Sequence, residues 1–190
     1  MPQAKTFKPE ELERVLKYID QTKYAKRDRA IVLLTHWAGT RAGEVSSLRN
    51  AHVLDVNNRV KSEIRLTAEQ TKGGYARTVF VNEKLRAELQ AFADTRKAKN
   101  PEWAFFPTQK NPRRGFTPNT IVQHINSIYR RCQIADASSH SGRRSFCTAL
   151  SANGIGMRLL MSLSGHKHLS SVQSYIDVND DMKRRAVELI

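Results

Sequence analysis

The chain has 190 residues, of which 39% are apolar, so it is long enough to build one domain with a substantial core. Its 32 Lys and Arg residues outnumber 18 Asp and Glu residues, which gives a net charge of +14. Such an excess favours a polyanion as partner, above all nucleic acid, because each cation that neutralises a phosphate releases condensed counterions. A cationic surface that serves solubility, or a ribosome-associated role, is the alternative. No apolar run is long enough to span a bilayer and no signal-peptide pattern opens the chain, so we expect a cytoplasmic protein without a membrane partner.

Helical periodicity dominates the first fifty residues. Pro9 marks a helix start, and apolar residues then recur on one face of that helix: Leu12, Val15, Leu16 and Ile19. A second helix is predicted from about Lys26 to Trp37 and stops at Ala38–Thr40. A third helix, Ala42–Arg49, follows immediately.

The pattern changes to strands after the third helix. Three segments, HVLDV, RVKSEIRL and YARTVFV, combine β-branched residues with alternation, and Asn57-Asn58 and Gly73-Gly74 separate them. These residue pairs are typical of hairpin turns. The sequence therefore predicts a small antiparallel sheet of three strands, inserted early in the chain.

The second half is predicted to be helical. Helices are expected at about Asn82–Lys97, Pro118–Cys132, Gly142–Asn153 and Met157–Ser164, with a short one before Tyr175 and a last one at Asp180–Ile190. A connection rich in Pro and aromatic residues, Lys99–Pro118, separates the first two. Cys132 and Cys147 fit no paired metal spacing and are expected to be reduced core thiols. The predicted fold class is mainly α with a small three-stranded antiparallel β-sheet.

Two short stretches in the first half carry candidate site residues. In GTRAGEVSSLR, Arg41 starts a helix, whose N-terminus favours an anion, and Glu44 one turn later can orient its guanidinium. The alternative is an ordinary ion pair on a solvated face. Lys72 precedes the Gly73-Gly74 turn, where it can donate a proton to a ligand or simply serve solubility.

A third stretch, SSHSGRRSFCTAL, brings a histidine and an arginine to one helix end. His140 and Arg143 follow the pattern His-x-x-Arg, and a bidentate guanidinium beside an imidazole suits a phosphate. A capping histidine and a surface arginine are the alternative. The neighbouring Arg144 is expected at the surface or against a backbone phosphate.

The last stretch, LSGHKHLSSVQSYID, places His166 nine residues ahead of Tyr175. Gly165 permits a left-handed turn at a helix end, directly before this histidine. His166 and His168 have no cysteine or carboxylate at metal-ligand spacing, so a zinc site is not expected. Neither a nucleotide-binding glycine loop nor a pair of acids for two metals occurs, and the sequence therefore predicts no metal and no nucleotide cofactor.

In this order the four stretches resemble the tyrosine recombinases, also called phage integrases. The resemblance implies a catalytic set: Arg41, Lys72, His140, Arg143, His166 and Tyr175, with Glu44 in support. Tyr175 would attack a DNA phosphodiester to leave a 3′-phosphotyrosyl link, while the two arginines clamp the phosphate and His166 hydrogen-bonds it. Lys72 would protonate the leaving 5′-oxygen, and His140 would act as general acid/base toward the tyrosine. No cofactor would be needed, because the phosphotyrosine retains the energy of the broken bond.

The resemblance also has departures and implications for domain organisation. Ser141 and Gly142 stand where family members often have an acidic residue and a leucine. Only forty residues precede Arg41, so residues 1–190 are expected to form a single catalytic domain without an N-terminal core-binding or arm-binding domain, as a fragment or as a compact stand-alone enzyme. The C-terminal segment Asp181–Ile190 is expected to fold back on its own core or to join protomers in a tetramer on DNA.

The DNA contacts and the exact reaction stay open at this point. Phosphate contacts are expected at basic patches, with a solvated cationic face as the alternative: Arg113, Arg114, Arg130, Arg131 and Arg144. The predicted partner is double-stranded DNA with a specific recombination site, which would make the enzyme nucleoid-associated when it acts. The sequence does not distinguish phage integration or excision, as in a mobile element, from inversion or dimer resolution. Rival interpretations are a type IB-like topoisomerase and a non-catalytic DNA-binding regulator on the same fold.

Overall fold

A computed structural model describes residues 4–96, 100–175, 183–184 and 187–188. The elements in this part of the chain are α1 (Pro9–Asp20), α2 (Ala25–Ala38), α3 (Ala42–Ser46), α4 (Asn50–Val53), β1 (Glu63–Leu66), β2 (Arg77–Phe80), α5 (Glu83–Ala93), α6 (Pro118–Arg131), α7 (Ser141–Ala152), α8 (Met157–Ser164) and α9 (Ser170–Gln173). The prediction of a mainly helical chain with a small antiparallel sheet is confirmed. No helix among the described residues is both long and apolar enough to cross a membrane.

Helix α2 forms the centre of the core. Its apolar run Ala30–Leu34 is completely buried, and helices α1, α5 and α7 pack around it. A helix that is apolar all round needs neighbours on every side, since it has no solvent-facing stripe. The helix ends at Gly39, whose φ of 61° provides the left-handed turn that leads into Arg41 and α3. The chain therefore passes directly from the centre of the core to Arg41, the first candidate site residue.

The sheet has two strands, so the predicted third strand is wrong. Strands β1 and β2 pair antiparallel, with Ile64 opposite Val79 and Leu66 opposite Arg77. The segment HVLDV instead finishes α4 and makes a single isolated bridge, Leu54 to Val60. Asp55 explains why the pairing stops there: its side chain accepts hydrogen bonds from the backbone N–H groups of residues 57 and 59 at 2.8 Å each. This tight turn begins directly after Leu54, so too few residues remain between α4 and the turn to form a strand.

Most predicted helix boundaries agree with the structure within one residue, and two end early. Helix α3 stops at Ser46 instead of Arg49, because the hydroxyls of Ser46 and Ser47 bond back to the carbonyls of the preceding turn. Helix α5 starts after Asn82, whose side chain accepts from the N–H of residue 85, and ends at Ala93 rather than Lys97. The predicted last helix, Asp180–Ile190, lies outside the described residues apart from 183–184 and 187–188.

Two apolar clusters support the site from different sides. In the main core, the aromatic connection folds inward, and Phe105 and Phe106 pack against Phe92 with ring centroids 5.5 and 5.3 Å away. A second, smaller cluster joins α7, α8 and α9 through Cys147, Leu160 and Val172. Both cysteines are free and buried, as predicted. The second cluster holds the helix that leads to Tyr175 against the helix that carries Arg143.

The contact of α7 with α2 depends on a glycine, and we predict that Gly142→Ala destabilises the fold. A Cβ at Gly142 would lie 2.1 Å from Thr35 Oγ1 and 2.7 Å from His36 Cδ2, which forces the two helices apart. We expect the free energy of unfolding to fall by about 2 kcal/mol, as is usual for overpacking, measured by urea denaturation. Gly43→Ala is the matched control, since its Cβ would meet nothing within 4 Å and alanine favours a helix. Equal urea midpoints for both variants would contradict this account.

Candidate active site

The start of α3 holds Arg41 in a fixed orientation. Arg41 precedes the helix, and its own N–H donates to Glu44 Oε2 at 2.8 Å. Its guanidinium donates through Nη1 to Glu44 Oε1 and through Nη2 to the carbonyl of Gly165, both at 3.1 Å. The second bond joins α3 to the turn after α8, which is 124 residues away in the chain. Arg41 thus stands between two candidate stretches and keeps 22% of its side chain exposed.

Glu44 is a buried carboxylate, not half of a surface ion pair. It is 1% exposed, and each oxygen accepts one bond from Arg41 and one from Arg77. Burial opposes ionisation of Glu44, but the hydrogen bonds and charges of Arg77 and Arg41 outweigh it and lower its pKa. The carboxylate is therefore ionised and fully hydrogen-bonded, which is the condition for keeping such a charge inside a protein.

Arg77 is a member of this cluster that the motif analysis missed. It occupies the first position of β2, opposite the buried Leu66, so its side chain lies on the core face of the sheet. The register contained a signal: in YARTVFV, Arg77 alternates with Val79 and Val81, which are both buried. A charged residue on the apolar face of a strand predicts a buried partner of opposite charge, and here that partner is Glu44.

Arg143 lies at the start of α7 and is almost completely enclosed. It is 4% exposed; Nη1 donates to the carbonyl of Gly39 at 2.6 Å, and Nη2 lies 3.1 Å from Nε2 of His166. Burial lowers its pKa, and the nearby Arg41 lowers it further, although a guanidinium remains charged at neutral pH. The structure therefore brings Arg41 and Arg143 together around the turns at Gly39 and Gly165.

His166 connects Arg143 to the end of α8. Its Nδ1 lies 2.7 Å from Ser164 Oγ, and that hydroxyl donates to the carbonyl of Leu160 at 2.6 Å. Because arginine only donates, Nε2 must accept from Arg143 and Nδ1 must carry the proton. Burial, followed by the charges of Arg143 and Arg41, lowers the pKa of His166 to about 4. His166 is therefore a neutral imidazole with a defined tautomer at physiological pH.

Tyr175 lies beside His166 and packs on the second apolar cluster. The two ring centroids are 5.6 Å apart, and the guanidinium of Arg144 lies 5.5 Å from the tyrosine ring. Burial raises the pKa of Tyr175, while the arginines around it, Arg143 first, pull in the opposite direction. The phenol is thus protonated at neutral pH and needs a base in order to act as a nucleophile.

His140 and Lys72 are the two exposed members of the predicted catalytic set. His140 directly precedes α7, but its side chain makes no capping hydrogen bond. Burial lowers its pKa, and the charges of Arg143, Arg41 and, last, Lys72 lower it further. Lys72 itself is exposed on the turn between β1 and β2. An open groove of about 750 Å³ lies between this hairpin and the end of α8, with Arg41, Gly165 and His166 in its wall.

The predicted DNA-binding arginines occupy three different environments. Arg144 is half-buried, donates to Thr6 Oγ1 at 3.2 Å and lies over the Tyr175 ring, so it belongs to the site itself. Arg113 and Arg114 are exposed and line a separate groove with residues that follow α3. Arg130 and Arg131 are exposed in the last turn of α6, where Arg131 donates to Tyr18 of α1 at 3.2 Å. Contact of these arginines with DNA stays a prediction.

Comparison with known proteins assigns this arrangement to a family. The model of the phage integrase family matches residues 5–182. The chain belongs to the phage integrase family. It is 30% identical to the tyrosine recombinase XerA of Pyrococcus furiosus over 184 residues, which cover 97% of this chain and 61% of that relative. This integrase-family chain spans about three fifths of the length of the curated relatives it matches.

The fold is similar to those of solved recombinase structures. A crystal structure of XerA recombinase matches with a TM-score of 0.74 and 23% identity, covering 100% of this chain and 65% of the other. The Tn1549 transposon integrase in complex with transposon right end DNA also matches with a TM-score of 0.74, at 18% identity, covering 99% and 66%. The likeness shows that these helices and the small sheet adopt the recombinase fold.

We predict that His166 stays neutral well below the usual histidine range. On lowering the pH, its imidazole signals in an NMR titration should change near pH 4, and the neutral form should show the proton on Nδ1. Since the folded pKa lies below the ordinary 6.5, the unfolded chain binds the proton first, and this histidine costs the fold stability as the pH falls from 6.5 to 4. His166→Gln assigns the signal by its loss. Titration above pH 6, or a proton on Nε2, would disprove the hydrogen-bond network.

Proposed function

We propose that this chain cleaves and rejoins DNA strands as a site-specific recombinase, through a covalent 3′-phosphotyrosyl intermediate and without metal or ATP. The observation that carries the proposal is the convergence of Arg41, Arg143, His166 and Tyr175, which come from three distant stretches of sequence. Buried, fixed cations beside a protonated phenol suit an attack on an anionic phosphate. A protein that only binds DNA would not need a nucleophile at this position.

The two arginines act as the phosphate clamp. Each guanidinium has five N–H donors, so Arg41 and Arg143 can keep their bonds to backbone carbonyls and still donate to non-bridging oxygens. Those carbonyl bonds hold the groups in place before substrate arrives. Preorganised donors of this kind stabilise charge that develops on the pentacoordinate phosphorus, and one donor lowers the barrier by about 3 kcal/mol. His166 lies beside Arg143 and would donate to the same phosphate from Nε2 once that nitrogen is protonated.

Proton transfer assigns roles to the remaining residues. The Tyr175 oxygen bonds to phosphorus while the bond from phosphorus to the 5′-oxygen breaks. His140 accepts the phenol proton, since its lowered pKa keeps the imidazole unprotonated and able to accept. Lys72 gives a proton to the departing 5′-oxygen from its exposed turn. The phosphotyrosine is then attacked by a 5′-hydroxyl, with the protons moving in reverse, and recombination results when that hydroxyl belongs to another strand.

Duplex DNA with a specific recombination site is the proposed partner. The net charge of +14 favours it, and the similar Tn1549 integrase is described in complex with transposon DNA. Arg113, Arg114, Arg130 and Arg131 would contact backbone phosphates, and Arg144 would reach a phosphate next to the tyrosine. Four protomers would assemble on the DNA through Asp181–Ile190, and the enzyme would act on the nucleoid in the cytoplasm.

Tyr175→Phe should abolish covalent attachment to DNA while leaving DNA affinity unchanged. The variant keeps the ring and loses only the oxygen that attacks phosphorus. The measurement is adduct formation on a nicked suicide duplex, which carries a site selected by the protein from random sequence and releases the leaving strand. Tyr75→Phe makes the same chemical change on the neighbouring hairpin and should form the adduct normally. Trapping by Tyr175→Phe would mean that the nucleophile is another residue. On supercoiled circular DNA, relaxed circles without strand exchange would favour a topoisomerase.

Lys72→Ala should slow cleavage of ordinary DNA by about 100-fold or more, since general-acid catalysis typically contributes that much. A substrate whose bridging 5′-oxygen is replaced by sulfur should restore the rate, because a thiolate leaves without protonation. The test compares single-turnover adduct formation on both substrates. Lys84→Ala, which changes an exposed lysine of α5, serves as the control. If the sulfur substrate gives no rescue, Lys72 is not the general acid.

A further inference from the structure

Arg77 lies between the residues that carry the proposed chemistry. Nε and Nη2 bind the two oxygens of Glu44 at 3.2 and 2.7 Å, and Nη1 donates to the carbonyl of Leu163 at 2.7 Å. Each nitrogen of the guanidinium therefore has an acceptor inside the protein, and only 7% of the side chain is exposed. An arginine whose three nitrogens all donate to groups inside the protein is not positioned to bind a phosphate itself.

The contact with Glu44 acts on Arg41. The carboxylate receives two bonds from Arg77 and two from Arg41, so Arg77 fixes the plane in which Arg41 is held. Arg77 also sets the net charge of the group formed by Glu44, Arg41 and Arg77. With Arg77 present, one carboxylate faces two guanidinium groups and a net positive charge remains. Without it, Glu44 would neutralise Arg41, which is the group that must meet the phosphate.

The contact with Leu163 acts on His166. Leu163 is followed by Ser164, whose hydroxyl accepts the proton of His166 Nδ1, and by the left-handed turn at Gly165. That glycine packs directly on Arg77, since a Cβ there would lie 2.6 Å from Cδ of the arginine. The position of the helix end, and with it the position of His166, is therefore set against the same guanidinium.

We propose that Arg77 is a positioning residue of this site, which fixes Arg41 and His166 relative to each other by clamping Glu44 and the end of α8. The proposal rests on the proposed function for its catalytic consequence. Two simpler roles compete with it: an ion pair that only stabilises the hairpin, and a direct contact with DNA. The three roles predict different effects on rate, affinity and stability.

Arg77→Lys is the decisive variant. Lysine keeps the charge but has a single nitrogen and cannot reproduce a fork to Glu44 and Leu163. Adduct formation on the suicide duplex should fall by about 10-fold or more, while the DNA affinity and its salt dependence stay within about 2-fold. Arg65→Gln is the control for the hairpin, because Arg65 is exposed on the other face of the same sheet. This variant should leave the pKa of His166 unchanged.

A double-mutant cycle with Glu44→Gln identifies the route of the effect. If Arg77 acts through Glu44, the double variant should be no slower than Glu44→Gln by more than about 2-fold, since the two changes break one network. Losses that multiply would overturn the shared clamp, because Arg77 would then act independently of Glu44. A wild-type rate for Arg77→Lys, once normalised to the folded fraction from urea denaturation, would reduce its role to stability. A lower affinity with a smaller salt slope would indicate a phosphate contact.

A readout without catalysis keeps this inference separate from the proposed function. If the wild-type protein forms no adduct, the proposed function fails, yet the geometry can still be tested by NMR on the free protein. Arg77→Lys should speed solvent exchange of the His166 Nδ1 proton, because the end of α8 loses its clamp. Arg77→Gln should in addition raise the pKa of His166 by about half a unit or more, as a nearby positive charge is removed. Unchanged exchange in Arg77→Lys would overturn the proposal.

Discussion

A single buried carboxylate, Glu44, determines how the parts of this site fit together. An ionised carboxyl group inside a protein is tolerated only when its desolvation is offset by complete hydrogen bonding. Here the donors come from α3 and from β2, and Arg77 in turn reaches the end of α8. The charge is satisfied only when Arg41 and Arg77 are both in place, and Arg77 then ties the end of α8 to the same carboxylate. The small sheet thus matters less for its own stability than for bringing one guanidinium to this carboxylate.

The same cluster of positive charge sets the protonation states that the proposed reaction requires. After burial, the arginines are the main reason that the pKa values of His140 and His166 are low, so both imidazoles are neutral at physiological pH. They also oppose the rise in the pKa of Tyr175 that burial causes. A phosphate that entered the site would neutralise part of this charge and make both histidines more basic. Substrate binding would therefore strengthen the base that must take the proton from the tyrosine.

Sequence reasoning succeeded where one local signal dominated and failed where distant segments decide. Strong apolar periodicity and a terminal glycine gave α8 its observed bounds, Met157–Ser164. The HVLDV strand was wrong because the side chain of Asp55 closed a turn that alternation could not reveal. The convergence of Arg41 with Gly165 depends on a contact across 124 residues, which no spacing rule contains and which came only from the family resemblance. Arg77 was missed because it lies in no motif, although its place on the apolar face of a strand marked it.

The departure of this chain from the family pattern at Gly142 has a physical explanation in how closely α2 and α7 approach. A Cβ at Gly142 would collide with Thr35, and a Cβ at Gly39 would lie 2.4 Å from Phe146 Cδ1, so one glycine from each side permits the contact. Gly142 and Phe146 are four residues apart and share one face of α7. This close approach puts Arg143 Nη1 2.6 Å from the Gly39 carbonyl, the bond that fixes one half of the proposed phosphate clamp. A larger residue at position 142 would need a wider helix spacing and another anchor for Arg143. Gly142 therefore keeps Arg143 in place by letting the backbones of α2 and α7 approach closely. The departure from the family pattern changes helix packing and not the residues that are proposed to react.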